Sequence, residues 1–182
     1  MKVQTDNVGK GTLITNIKNH FSNFTLHQLH YSNVKHNTKE RTIQYSTKLY
    51  REMFQLMVEV SKNNKTGVIC DRSHLGEMAY GPLYRGYSGE YVLDIEKEYH
   101  NYLPIWDNLS LITLIDKPEN VLARDDGLSF SINLDKKTQE IDLFIKAHKQ
   151  STIKNKLLLD ISTHDEAQAI DAVVTFINST KG

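Results

Sequence analysis

Three short runs hold the residue types that chemistry would need. The first is Asp71-Arg72-Ser73-His74-Leu75-Gly76-Glu77-Met78-Ala79-Tyr80-Gly81-Pro82-Leu83-Tyr84-Arg85, which crowds acids, guanidinium groups and phenols into one stretch. Asp71 is placed to hold Mg²⁺ through water or to accept a hydrogen bond from a substrate hydroxyl. Arg72 can grip a phosphate with a two-pronged N–H fork. An isolated Asp-Arg pair also reads as a strand-end ion pair. The remainder of the run argues for more, because His74, Glu77, Tyr80, Tyr84 and Arg85 suit stacking on a base, reading its edge and neutralising phosphate. Gly76, Gly81 and Pro82 shape the backbone between them. Helix-face packing accounts for Leu75 and Met78 but not for the whole set.

The second run, Asp6-Asn7-Val8-Gly9-Lys10-Gly11-Thr12, carries the second half of a phosphate loop, Gly-x-x-x-x-Gly-Lys-Ser/Thr. In such a loop backbone N–H groups surround the phosphates and the lysine reaches the β and γ oxygens. Gly9, Lys10 and Gly11 fit, and Thr12, one residue later than usual, is placed to address Mg²⁺. Gln4 stands where the first glycine belongs, and a Cβ there resists the tight turn. Alone, the four residues also read as a polar turn capping a helix. The third run is Lys117-Pro118-Glu119-Asn120-Val121-Leu122-Ala123-Arg124-Asp125-Asp126-Gly127. It reads as the start of a lid spanning about residues 117–135 that delivers Arg124 on closure, with Lys136 and Lys137 behind it. The alternative is a solvated loop whose arginine pairs with Asp125 or Asp126.

These runs need elements to hold them. The chain has 182 residues, enough for one domain with a sizeable core, and only three prolines, with no repeat or low-complexity tract. Helical spacing of Leu13, Ile14, Ile17 and Phe21 starts a helix near Gly11, and Thr25 to Tyr31 reads as a strand. A helix follows over Thr42 to Ser61, then a buried strand over Gly67 to Cys70 that launches Asp71 and Arg72. Tyr91 to Tyr102 reads as helix, Leu109 to Ile115 as strand, and Asp116 to Asp135 as polar and irregular. Lys136 to Ser151 is helical, Lys156 to Ile161 a strand, and Asp165 to Ile177 a closing helix. Strands alternating with helices predict a parallel sheet covered on both faces. Ligands then bind beyond the strands' carboxyl ends. Only Met1-Lys2-Val3 precede Gln4, so the first strand is nearly absent; either it is shortened or this chain begins downstream of its natural start, and the second is the expectation.

Composition excludes some classes. Lysine plus arginine equals aspartate plus glutamate at 22 each, so no bulk basic surface is available for a nucleic acid polymer or a membrane. No run is apolar and long enough to span a bilayer, and no signal core opens the chain. The single Cys70 reads as a small buried strand residue rather than a nucleophile, in keeping with a cytoplasmic protein. The eight histidines are scattered without ligand spacing, and most are expected at the surface. Trp106 reads as core or as a pocket wall beside Pro104.

With these runs in this order, the chain resembles the thymidylate kinase-like family of P-loop nucleoside monophosphate kinases, especially versions found in bacteriophages. The resemblance rests on Asp6 to Thr12, Asp71 to Arg85 and Lys117 to Ser131. It implies a three-layer αβα P-loop fold with a five-stranded parallel sheet and a short lid. It also implies ATP with Mg²⁺ as donor and a deoxynucleoside monophosphate, dTMP first among them, as acceptor. By position Asn7, Val8, Gly9, Lys10, Gly11 and Thr12 would hold the ATP phosphates, and Thr12 and Asp71 the metal. Arg72 would take the acceptor phosphate and Arg124 the migrating phosphoryl group. His74, Glu77, Tyr80, Tyr84 and Arg85 would complete the acceptor pocket. Family members are often homodimers, and a phage-encoded one would work in the host cytoplasm. Two other readings stay open. Asp71-Arg72-Ser73 also matches deoxynucleoside kinases, which phosphorylate a 5′-hydroxyl. Gln4 and the clipped strand also fit a catalytically impaired nucleotide-binding homologue.

Overall fold

The computed structural model describes residues 2–3, 8–101, 103–125, 127 and 129–180, with side chains except at 2–3 and 103–105. Gln4, Asp6 and Asn7 of the loop pattern, and Asp126 after Arg124, lie outside the described residues. In chain order the first half comprises β1 (Lys2–Val3), α1 (Lys10–His20), β2 (Thr25–His30), α2 (Lys39–Ser61) and β3 (Thr66–Asp71). Next come α3 (Gly76–Tyr80), a π-helical turn (Gly81–Arg85), α4 (Tyr91–Tyr99) and α5 (Leu103–Asn108). The second half holds β4 (Ser110–Ile115), α6 (Pro118–Ala123), α7 (Leu134–Gln150), β5 (Asn155–Asp160), a 3₁₀ turn (Ile161–Thr163) and α8 (Glu166–Ser179).

The strands stand in the order β2-β3-β1-β4-β5 and every pairing is parallel. β2 pairs with β3 along its whole length, from Thr25 opposite Thr66 to His30 opposite Asp71. β4 and β5 pair equally fully, from Ser110 opposite Asn155 to Ile115 opposite Asp160. β1 joins these two couples through Lys2 opposite Cys70 and Leu111 and Val3 opposite Asp71.

Alternation along the strands sorts the core into two halves. Cys70 and Leu111 join Tyr50, Met53 and Phe54 of α2 and Val92 and Ile95 of α4 on one side. Ile69, Ile112 and Leu114 join Leu13, Ile14 and Ile17 of α1 and Val173 of α8 on the other. Helices thus cover both faces, as an all-parallel sheet requires. Cys70 is fully buried, and Trp106 lies in the first core half, with its Nε1 donating to Thr152 O at 3.2 Å. Among the described residues no helix is long and apolar enough to cross a membrane.

Several boundaries differ from expectation for local reasons. α2 starts at Lys39 rather than Thr42, because the Thr38 side chain accepts from Arg41 N at 3.2 Å and caps the helix. The stretch after Asp116 is not wholly irregular: α6 forms with Pro118 in its first turn, where a missing N–H costs nothing.

Candidate active site

Going from β3 to β4 the chain crosses from one side of β1 to the other, so the loops at their carboxyl ends diverge around a crevice. α1 starts there. Val8 is anchored in the core at 2% exposure, and Gly9 adopts φ 72°, a left-handed conformation that a side chain resists. Gly9 brings no side-chain cap, and the first turn of any α-helix presents amides the helix does not itself satisfy. That geometry suits phosphate oxygens.

One cleft opens beside this turn. It is lined by Lys10 of α1, Tyr31, Ser32 and Asn33 after β2, Tyr50 of α2, Arg72, Ser73, Gly76, Glu77, Tyr80, Arg85, and Phe144 of α7. Five expected residues, Lys10, Arg72, Glu77, Tyr80 and Arg85, are therefore brought together. Arg72 is the one non-glycine residue at positive φ among the described residues, at 76°. Such strain, of order 1–3 kcal/mol, persists where surrounding structure enforces it.

Glu77 organises the wall of this cleft. Its side chain is 2% exposed and paired with Arg85, itself 8% exposed. Oε1 also accepts from Tyr50 OH at 3.3 Å; Oε2 accepts from Tyr87 OH at 2.6 Å and Tyr91 OH at 3.3 Å. Burial pushes the Tyr50, Tyr87 and Tyr91 phenols up, and the neighbouring Glu77 pushes them further, so each stays protonated as a donor. Burial opposes the Arg85 charge, but Glu77 beside it more than compensates and its pKa is raised. The turn that carries Arg85 and Tyr87 lies hard against α3: a Cβ on Gly89 would sit 2.1 Å from Glu77 O. Only glycine allows that approach.

A second cleft lies on the other side of the same helix start, lined by Val8, Gly9, Thr12, Leu13, Leu114, Arg124, Ile161, His164, Asp165, Glu166, Ala169 and Ile170. Arg124 here pairs with Asp116, the residue just past β4, and its Nε donates to Asn120 O at 3.0 Å. Asp116 also accepts from Lys117 N at 2.7 Å and Asn120 Nδ2 at 2.8 Å, which fastens α6 to the strand end. This pairing is with neither of the neighbouring acids the sequence offered, as far as they are described: Asp116 is buried and positioned by the sheet, whereas Asp126 lies outside the described residues.

Other expected site residues lie elsewhere. His74 is fully buried against Phe54, its Nε2 2.6 Å from Glu96 Oε1, and is not among the cleft-lining residues. Glu96 is further held by Ser151 Oγ at 2.8 Å and Thr152 N at 2.7 Å, so the pair ties α4 to the end of α7. With no exposed surface, His74 has a packing place rather than a ligand-facing one. Tyr84 is half-buried outside the cleft lining, stacked on Phe130 at 5.0 Å and donating to Glu140 Oε2 at 3.2 Å. Lys137 is no lid cation: it is 2% exposed and 3.4 Å from Glu140. Lys136 lies over the Tyr84 ring at 5.6 Å. Asp71 stands at the strand end as expected, with Oδ2 3.5 Å from His30 Nδ1 and Oδ1 buried without a hydrogen-bond partner among the described residues. Thr12 is exposed and lines the second cleft.

Asn33, Tyr87 and Tyr91 were not legible as site residues from the runs alone. Applying the strand-end rule to β2 as well as β3 would have nominated Asn33, three residues past His30.

No protein-family model and no curated protein matches the sequence. Among solved structures, the chain is similar to thymidylate kinase from Candida albicans, with a TM-score of 0.59, 13% identity and coverage of 99% of this chain and 91% of that one. It is also similar to deoxyadenosine kinase from M. mycoides with bound dATP, with a TM-score of 0.55 and 14% identity over 98% of this chain and 100% of that one. The form of that enzyme with bound dCTP gives a TM-score of 0.52 and 16% identity over the same shares. The mixed α/β fold of this chain is thus the fold of P-loop nucleoside and nucleoside monophosphate kinases.

Proposed function

We propose that this chain transfers the γ-phosphoryl group of ATP to the phosphate of a deoxynucleoside monophosphate, with dTMP the first candidate. The observation that carries the proposal is that two clefts meet at the first turn of α1. One offers Lys10, Arg72 and Arg85; the other offers Gly9, Thr12 and Arg124. Phosphoryl transfer is mostly positioning and charge neutralisation, and this layout supplies both. In this reading the Val8–Thr12 amides and Lys10 hold the donor phosphates, Arg72 holds the acceptor phosphate, and Arg124 meets the migrating group as the 117–135 lid closes. Tyr80 lines the acceptor side, with Glu77 fixing its wall.

The donor set suits a hard, oxygen-loving cation: a Thr12 hydroxyl and an Asp71 carboxylate with an unpartnered buried oxygen. Mg²⁺ held by Thr12 and Asp71 would neutralise the phosphate oxygens.

The likeness to deoxyadenosine kinase, together with Asp71-Arg72-Ser73, supports a second reading in which a nucleoside 5′-hydroxyl is the acceptor. That chemistry needs a general base at the hydroxyl. The one carboxylate among the described lining residues of the first cleft is Glu77, and Arg85 and three phenols already occupy it. The cations Lys10 and Arg72 in that lining suit a phosphate better than a hydroxyl. Two substitutions test the assignment in a steady-state turnover assay. Lys10→Ala lowers kcat/KM by about 10³-fold, since lost stabilisation of transition-state charge is worth several kcal/mol. Arg72→Ala raises the acceptor KM by about 10- to 100-fold through loss of a charge-assisted fork. An unchanged acceptor KM removes Arg72 from the phosphate site.

A further inference from the structure

We propose that Asn33 reads a hydrogen-bond donor on the nucleoside part of the acceptor, with Tyr87 and Glu77 fixing its amide so that only a donor is accepted. The inference rests on reading the first cleft as the acceptor site. A carboxylate can only accept hydrogen bonds, so the single proton of the Tyr87 phenol goes to Glu77 Oε2, 2.6 Å away. The phenol oxygen then has only lone pairs left. Whatever faces it must donate, and what faces it is the Arg85 guanidinium and, at 3.3 Å, Asn33 Nδ2. The order of nitrogen and oxygen in the Asn33 amide is set by this chain of polarity.

The consequence falls on the other end of the amide. Asn33 is 8% exposed, lines the cleft together with Lys10 and Arg72, and its Oδ1 is buried with no hydrogen-bond partner among the described residues. Leaving a buried carbonyl oxygen unpaired costs about 1–3 kcal/mol, and such atoms call for a specific reason. A ligand that brings an N–H or O–H to this oxygen removes the cost; one that brings an acceptor is repelled. Ionised phosphate carries only acceptors, so Asn33 cannot read the phosphate. Cations take that end, and Asn33 takes a ring N–H or a sugar hydroxyl. Burial helps by holding the Tyr87 phenol protonated across the physiological range.

dTMP is a suitable probe because its nucleoside part carries two donors, the ring N3–H and the 3′-hydroxyl. Calorimetric titration compares dTMP, its N3-methyl analogue and its 3′-deoxy analogue on wild type and on Asn33→Ala, with thermal melts to check folding. The expected result is a 10- to 100-fold loss of dTMP affinity in Asn33→Ala that disappears for one analogue. The analogue on which it disappears names the donor that is read. Tyr87→Phe keeps the ring but frees the amide to rotate, so the wild-type preference for dTMP over that same analogue narrows several-fold. An equal loss on all three ligands, or none on dTMP, overturns the inference while leaving the acceptor site in place. Failure of wild type to bind dTMP at all overturns the acceptor assignment, and this inference with it.

Discussion

Two arginine–carboxylate pairs stand at the first turn of α1, and the fold treats them in opposite ways. Arg85 and Glu77 are 8% and 2% exposed, and three phenols complete the carboxylate's shell. Arg124 meets an equally buried acid, Asp116 at 3%, yet is itself 42% exposed and hangs from the end of a six-residue helix. The contrast teaches that pair chemistry alone does not assign a role. A guanidinium sealed between elements is part of a wall, and moving it exposes an unpaired charge. One that reaches a buried acid from the solvent side can leave, because Asp116 keeps its bonds from Lys117 N and Asn120.

The largest expected break in this comparison comes from Arg85→Met. It strands the Glu77 charge, and removing one partner of a buried pair costs about 3–5 kcal/mol, measurable by urea unfolding. Adding Glu77→Gln in that background should restore part of the loss, and a cost below about 1 kcal/mol would mean that the pair is not sealed. Arg124→Ala should do the reverse, moving stability by no more than about 1 kcal/mol while lowering kcat about 10²-fold. If unfolding and turnover respond to Arg124 as they do to Arg85, the distinction between wall and mobile group fails.

Acid sharpens the contrast further through a histidine that belongs to neither pair. Burial and then the nearby Lys156 hold the pKa of His148 down to about 4, and it bonds Thr113 Oγ1 through Nδ1 at 2.9 Å. Its folded pKa lies below the unfolded value near 6.5, so the unfolded chain binds the extra proton. Stability therefore falls as pH drops from about 6.5 to 4, by on the order of 2 kcal/mol from this group. His148→Gln should flatten that window while both arginine pairs persist; an unchanged pH profile would place the acid sensitivity elsewhere. The smallest effect is expected from Tyr87→Phe, about 1 kcal/mol of stability, since Glu77 keeps Arg85, Tyr50 and Tyr91.

The sequence made the frame legible because apolar periodicity and strand-end position act locally. The strand ending at Asp71 and the long helix behind it could be read to within a few residues, and with them the meeting of Lys10, Arg72, Glu77, Tyr80 and Arg85. The segment from Gly76 to Arg85 was harder, because Gly76, Gly81 and Pro82 interrupt the helical period that α3 and its π turn still satisfy. His74 carries a ligand's side chain in a core position, and its partner Glu96 is 22 residues away. Nothing local announces that pairing. Asp116 as the partner of Arg124 was hidden in the same way: residues closer in sequence compete on paper, but only Asp116 is fixed by the sheet. Asn33 and Tyr87 acquire meaning only through Glu77, which lies on a different element from both.

The central claim is that the two clefts exchange a phosphoryl group. The most direct measurement follows ATP consumption and product identity for the chain with each deoxynucleoside monophosphate and each matching deoxynucleoside, beside Lys10→Ala. The account predicts that a monophosphate, dTMP foremost, is converted to its diphosphate and that Lys10→Ala abolishes this. Product from nucleosides alone, or none from any acceptor, would contradict it.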